Sequence, residues 1–303
     1  MSIDPDQIVD RRRLKRRVTA WRTLAIVTIA GLLFLLVQEQ VGDRIAGDHV
    51  AWLEIRGIIT EDRYRQETLR KLADNERSRA LIIYIDSPGG TTYGGEELFL
   101  ELRKIGKEKP VVAVIGTLGT SAGYLVALAA ERIYARTTSI TGSIGVLLET
   151  AEFSQLLNKI GVSTDTVKSG EFKSTPSPFQ PLTESGRAVV QSMVDDSYRW
   201  FVEILAERRN LTLEDARVLG DGRVYTGRQA LDARLIDALG ASTEARQWLE
   251  SHHNISEDLP LRDVLDRDNR GGLLGRILGL AEKMVSSERL TLDGLVSVWQ
   301  SDL

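Results

Sequence analysis

Three segments of this chain carry residue types able to do chemistry. The first, Asp86-Ser87-Pro88-Gly89-Gly90, follows the apolar run Ala80–Ile85. Its glycines free the backbone to turn sharply and present N–H groups at the C-terminal edge of a sheet, where a developing oxyanion can be held. The same residues also suit a plain strand-to-helix turn. The second, Gly119-Thr120-Ser121-Ala122-Gly123-Tyr124, lies between a strand-like run and an apolar helical stretch. A serine there is either an N-cap or an approachable nucleophile, with the Ala122 N–H aimed where an oxyanion forms. The third, Lys168-Ser169-Gly170-Glu171-Phe172-Lys173-Ser174-Thr175, holds two of the nine lysines in the sequence. It reads either as a source of a base or as a solvated loop.

A serine nucleophile needs a base. The chain has no cysteine and three histidines, His49, His252 and His253. The absence of cysteine excludes disulfide frameworks, thiolate nucleophiles and thiolate metal sites. His49 lies near the start of the main domain and the other two are adjacent in a polar region, so histidine is badly placed for catalysis. A lysine can take the role when desolvation lowers its pKa well below roughly 10.4, whereas arginine cannot. Nucleotide motifs are excluded as well. Phe172 stands where a phosphate loop needs glycine before Lys173-Ser174, and Gly116, Gly119 and Gly123 have the wrong spacing for a dinucleotide fingerprint. His252-His253 cannot form the helical zinc pair, so no metal or cofactor is expected.

The elements that must position these segments can be read from periodicity. Val50–Ile59, Ala80–Ile85, Val111–Ile115 and Arg132–Arg136 read as strands, with Ser143–Leu148 continuing in the same style. Residues 61–79, Gly94–Ile105, Ser121–Glu131 and 183–209 read as helices. Strands alternating with helices predict an α/β domain with a parallel sheet and right-handed crossovers. The main domain is expected over 48–250, with a linker and tail helices over 251–303, in Leu273–Leu280 and the stretch ending at Trp299.

Charge is unevenly distributed. The net charge is −4, but residues 11–17 are basic at six of seven positions. Residues 1–22 hold seven basic and three acidic side chains, which leaves 32 basic and 40 acidic side chains in the remainder, a net of −8. No basic surface argues for nucleic acid. After the basic segment 1–17 comes an apolar stretch over 18–38, about long enough to cross a hydrocarbon core of roughly 30 Å. Arg22 can snorkel and Trp21 suits the interface. The basic cluster before it predicts a cytoplasmic N-terminus and an exported body. A cleaved signal peptide would export the body too, but the stretch is long for that and no small-x-small cleavage site follows it.

On these residues the chain resembles the signal peptide peptidase A family of bacterial membrane-bound serine proteases. Ser121-Ala122-Gly123-Tyr124, with Ala127–Ala130 and Arg132–Ala135 after it, looks like the family's nucleophile segment. Thr141-Gly142-Ser143-Ile144-Gly145-Val146 is similar to its glycine-serine segment, and Lys168–Pro178 to its lysine segment. Gly222–Ala230, with Leu235-Ile236-Asp237, resembles its C-terminal signature. The resemblance spans about residues 48–245. It implies a ClpP/crotonase-like fold of repeated β-β-α units behind an N-terminal transmembrane helix, and a Ser–Lys dyad with Ser121 as nucleophile and Lys173 as base. It also implies Ser143 orienting the base, and an oxyanion hole drawn from Gly89, Gly90 and Ala122. Ala122 departs from the glycine that many members have after the nucleophile. The implied activity is cleavage of remnant signal peptides and other extended apolar peptides, at the bacterial cytoplasmic membrane with the catalytic domain outside. A homo-oligomer, an octamer among the options, is implied by the single domain copy. Two other classes share the fold: a crotonase-type acyl-CoA enzyme, and an inactive membrane scaffold.

Overall fold

The computed structural model describes residues 21–29, 31, 47–265 and 296–298. The chain divides into two units after Asp48. In the first, residues 21–29 form a helix, α1. The basic segment 1–17 and most of the expected anchor 18–38 lie outside the described residues, as does most of the expected tail beyond 265. Among the described residues no helix is long and apolar enough to cross a membrane.

The second unit is a mixed α/β domain built on one sheet. Strand β1 (His49–Ile59) pairs in parallel with β2 (Ser78–Thr91), which pairs in parallel with β3 (Val111–Thr120). Between them run helices α2 (Arg63–Ala73) and α3 (Thr92–Glu108). These are strand–helix–strand units, as the alternation predicted. Leu81, Ile82 and Ile83 are all fully buried, because a parallel strand covered on both faces tolerates no alternation of polar residues. Short β4 (Arg132–Ala135) and β5 (Ile140–Gly142) both pair in parallel with β3, β4 along its first half and β5 along its second. Further along the chain, β6 (Val224–Thr226) pairs antiparallel with β5, while β7 (Ala238–Leu239) and β8 (Leu261–Asp263) pair in parallel with β4 and β1.

Helices cover both faces. On one side α3, α4 (Ala122–Ala127) and the second half of α6 (Glu184–Arg209) bury Leu98, Leu102, Leu125, Phe201 and Leu205 against the sheet. On the other, α9 (Ser242–His253) packs Ala245, Trp248 and Leu249 on Val50, Ile82, Val112 and Val114. Small helices α5 (Ser154–Lys159), α7 (Leu213–Leu219) and α8 (Gly227–Asp232) fill the connections. Threonine starts α3, α6 and α8 as an N-cap, accepting a backbone N–H in each case. Arg208 donates to the carbonyls of Leu128 and Ala130, both at 2.8 Å, and so locks α6 to the end of α4.

Three expectations are modified. Asp86–Gly90 does not end its strand. β2 runs on to Thr91, with register irregularities after Ile85 and opposite Arg56–Ile58. Ser87 causes this, since its hydroxyl donates to Gly57 O at 2.6 Å and holds the strand to β1 across the irregularity. Ser143–Leu148 is mostly irregular rather than a strand, because regular pairing stops at Gly142. In the tail, Val296–Val298 forms a strand, β9, which pairs antiparallel with Gly89–Thr91 of β2.

Candidate active site

Ser121 stands between the end of β3 and the start of α4, with φ 55° and ψ −120°. That conformation is uncommon for any residue but glycine and costs about 1–3 kcal/mol, so it persists only where the surroundings impose it. The surroundings here are specific. The Ser121 N–H donates to Gly142 O at 2.8 Å, and its own carbonyl accepts the Leu125 N–H at 2.9 Å. Thr120 Oγ1 donates to Pro88 O at 3.0 Å, and Thr141 Oγ1 donates to Gly119 O at 2.7 Å. Strands β2, β3 and β5 are thus tied together on either side of the serine. Gly123 allows the tight turn, since a Cβ there would lie 3.0 Å from Ser87 O. Ser121 stands at the N-cap position of α4, yet its side chain makes no capping hydrogen bond. Ser121 thus sits, in a Gly119-x-Ser121-x-Gly123 spacing, on a strained and buried strand-to-helix turn at the sheet edge. That spacing was legible in the sequence, but the strain was not.

The oxyanion candidates separate. The Gly89 N–H donates to Ser87 Oγ at 3.1 Å, so it serves the turn. Gly90 packs against β1 so closely that a Cβ would lie 1.8 Å from Ile59 O. Only glycine can occupy that position. Ala122 is the first residue of α4, where an N–H has no acceptor within its own helix.

Ser143 follows β5 with φ 49° and donates its N–H to Arg223 O at 2.8 Å. Its loop is therefore held by Arg223, which lies just before β6 in the Gly222–Thr226 part of the C-terminal signature. The role of that signature is structural: Arg223 pairs with Asp221, Tyr225 donates to Leu219 O at 3.1 Å, and Thr226 and Gln229 form a capping box.

Neither lysine of the third segment is hydrogen-bonded to Ser121. Lys168 Nζ donates to Gln180 Oε1 at 3.2 Å. Lys173 is exposed in the turn at 171–174, and among the described residues no hydrogen bond or ion pair engages its ammonium. Ser121, by contrast, is 1% exposed. Glu171 accepts from Ser185 at 2.9 Å and so anchors the lysine turn to the start of α6. The single chain brings Ser121, Ala122, Gly90 and Ser143 to one edge of the sheet and leaves Lys173 outside hydrogen-bonding distance. Among the described residues no cluster of side chains could hold a metal ion.

Residues 103–256 match the protein-family model described as Peptidase family S49. The chain belongs to that family. A Synechocystis sp. protein whose name proposes a protease is 36% identical over 219 residues, 72% of this chain and 79% of its own. A Methanocaldococcus jannaschii protein with a name of the same kind is 32% identical over 249 residues, covering 76% and 80%. Protease 4 of Haemophilus influenzae is 33% identical over 235 residues, covering 75% of this chain and 38% of the relative. A solved membrane-bound stomatin-specific protease overlays on 72% of this chain and 98% of its own at 15% identity and a TM-score of 0.48. Membership of peptidase family S49, the family of signal peptide peptidase A, makes this chain a serine peptidase.

Proposed function

We propose that the chain is a membrane-anchored endopeptidase of ClpP/crotonase-type fold in which Ser121 is the nucleophile and Lys173 the general base. The observation that carries this reading is the strained, buried Ser121 at the head of α4, held there by Gly142 O. Strain at a residue able to react, enforced by three strands, argues for function more than for packing.

The chemistry balances on these residues. Neutral Lys173 takes the proton of Ser121 as Oγ attacks a peptide carbonyl. The N–H groups of Gly90 and Ala122 receive the negative charge of the tetrahedral intermediate. The intermediate expels the amine, which takes the proton back from the lysine and leaves an ester on Ser121. Water, deprotonated by the same lysine, attacks the ester, and the lysine returns that proton to Ser121 Oγ as the acid leaves. Ser143 orients the base.

Lys173 reaches a serine by assembly of copies in this reading. Its segment displays Phe153, Leu156, Ile160, Val167, Phe172 and Phe179, all exposed, with Val167 at 97%. The first half of α6, next to it, buries only Gly186. An apolar segment of this size fits burial against a second copy. A heterologous ring contact would then carry Lys173 of one subunit to Ser121 of the next and desolvate it there. The apolar stretch 18–38 supports a single-pass anchor in the bacterial cytoplasmic membrane, with the domain outside. The substrates are then extended apolar peptides such as signal-peptide remnants. The antiparallel pairing of β9 with Gly89–Thr91 supports the binding mode, since an extended segment lies along this strand edge.

The test is subunit mixing. Ser121→Ala and Lys173→Ala should each abolish hydrolysis of an unfolded reporter peptide. Co-assembled in equal amounts, they should recover about a quarter of the activity, the share of ring contacts that pair an intact serine with an intact lysine. Activity retained by Lys173→Ala and lost by Lys168→Ala would overturn the choice of base. Absence of recovery on mixing would place the base in the same subunit.

A further inference from the structure

Beside the nucleophile lies a cavity of about 310 Å³. At the small end of ligand pockets, which span about 300–1,000 Å³, it suits one side chain better than a cofactor. Tyr93, Leu125, Val146, Trp200 and Phe201 give it apolar and aromatic walls, and Ala122 contributes to the lining. Because Ala122 directly follows Ser121, the cavity opens next to the carbonyl under attack. Helix α3 forms one side at close range, since a Cβ on Gly95 would lie 3.0 Å from the Ala122 Cβ.

The next residue on α3 is Glu96, which also lines the cavity and is half-buried. Among the described residues no hydrogen bond or ion pair engages its carboxylate, and no basic residue lines the cavity. Asp196, the other acidic residue there, is already paired with Arg199 at 3.1 Å. The surroundings add negative charge rather than cancel it. The Tyr93 phenol is held above its ordinary range by Glu97 first, then Glu61, with Glu96 contributing. Arg65, which attracts Glu97 electrostatically, donates to Thr60 O at 2.6 Å. A partly desolvated carboxylate without a partner is costly, and a cation at the end of an apolar stem removes that cost. Aromatic walls favour the same cation through their π faces.

We propose that this cavity receives the side chain of the residue that supplies the scissile carbonyl, and that Glu96 makes lysine or arginine the preferred occupant. The inference rests on the peptidase reading of Ser121. It goes beyond a general taste for apolar peptides, because the stem of the side chain is apolar and only its tip is charged.

The experiment uses the full chain and a set of unfolded peptides identical except at that residue, which is lysine, arginine, norleucine or glutamate. For the unaltered enzyme, kcat/KM for lysine and arginine should exceed that for norleucine about tenfold, the scale of one charge-assisted hydrogen bond. Glu96→Gln should bring the lysine-to-norleucine ratio to about one. Glu96→Lys should invert the order and make the glutamate peptide the better substrate of the charged pair. That gain cannot come from misfolding. An enzyme that cleaves norleucine as well as lysine overturns the proposal and leaves the peptidase reading standing. So does a lysine preference that survives Glu96→Gln. Failure of the unaltered enzyme to cleave any peptide overturns both.

Discussion

Replacing Ser121 by glycine and by alanine separates strain from chemistry. Both variants lose the hydroxyl and every contact it makes, so those contributions cancel between them. They differ in backbone freedom and in one buried methyl group, which alanine keeps and glycine lacks and which is worth about 0.8 kcal/mol. At an ordinary position alanine is the more stable by about 0.4–1 kcal/mol, because glycine loses more conformational entropy on folding. Ser121 has φ 55° and ψ −120°, a region glycine enters freely and alanine only at a cost of about 1–3 kcal/mol. Strain at the upper end of that range exceeds the entropy and methyl contributions together, so Ser121→Gly should be the more stable of the two by up to about 1 kcal/mol. For a domain of this size that is a rise in Tm of about 2–4 °C. The assay is denaturant or thermal unfolding of both variants, followed in parallel with peptide hydrolysis. Both should be inactive. If Ser121→Ala is the more stable by the usual margin, the turn is not strained and the structural argument for the nucleophile fails.

Other outcomes follow from the same geometry. Gly90→Ala should fail to fold or lose more than about 3 kcal/mol, because its Cβ would meet Ile59 O at 1.8 Å within paired backbone; unfolding in urea decides it. Asp237→Ala should cost about 2–4 kcal/mol, since it breaks an ion pair with Arg209 at 2.9 Å and orphans the Ile133 N–H that donates to Asp237 at 2.7 Å. Thr120→Val should cost about 1–2 kcal/mol by leaving Pro88 O without its partner, and should lower activity more than stability by loosening the serine turn. With a lysine base the neutral form is the active one, so the rate should climb with pH until the base has lost its proton; a flat profile from pH 5 to 9 would count against Lys173.

What could be read in the sequence was whatever local chemistry determines. The buried strands Ala80–Ile85 and Val111–Ile115 were visible because a parallel strand covered on both faces needs an unbroken apolar run, and α6 was visible because twenty-six residues of helical spacing have few alternatives. The extension of β2 through Pro88-Gly89-Gly90 was not visible. It depends on Ser87 reaching Gly57, thirty residues away in sequence, and on Ile59 lying close enough to exclude any side chain at position 90. Nor was the Glu96 cavity legible, since helices α3 and α6 meet there only through the fold. The same division governs the proposed catalytic pair. Ser121 could be singled out from its neighbours, and its backbone carries strain that no local pattern announces. Lys173 lies on a segment whose exposed Phe153, Ile160, Val167 and Phe172 have no apolar surface to cover them within the described chain. A sequence that keeps such residues exposed beside an unpaired ammonium points to a surface completed by association, so the dyad should be sought at the scale of the assembly rather than of the chain.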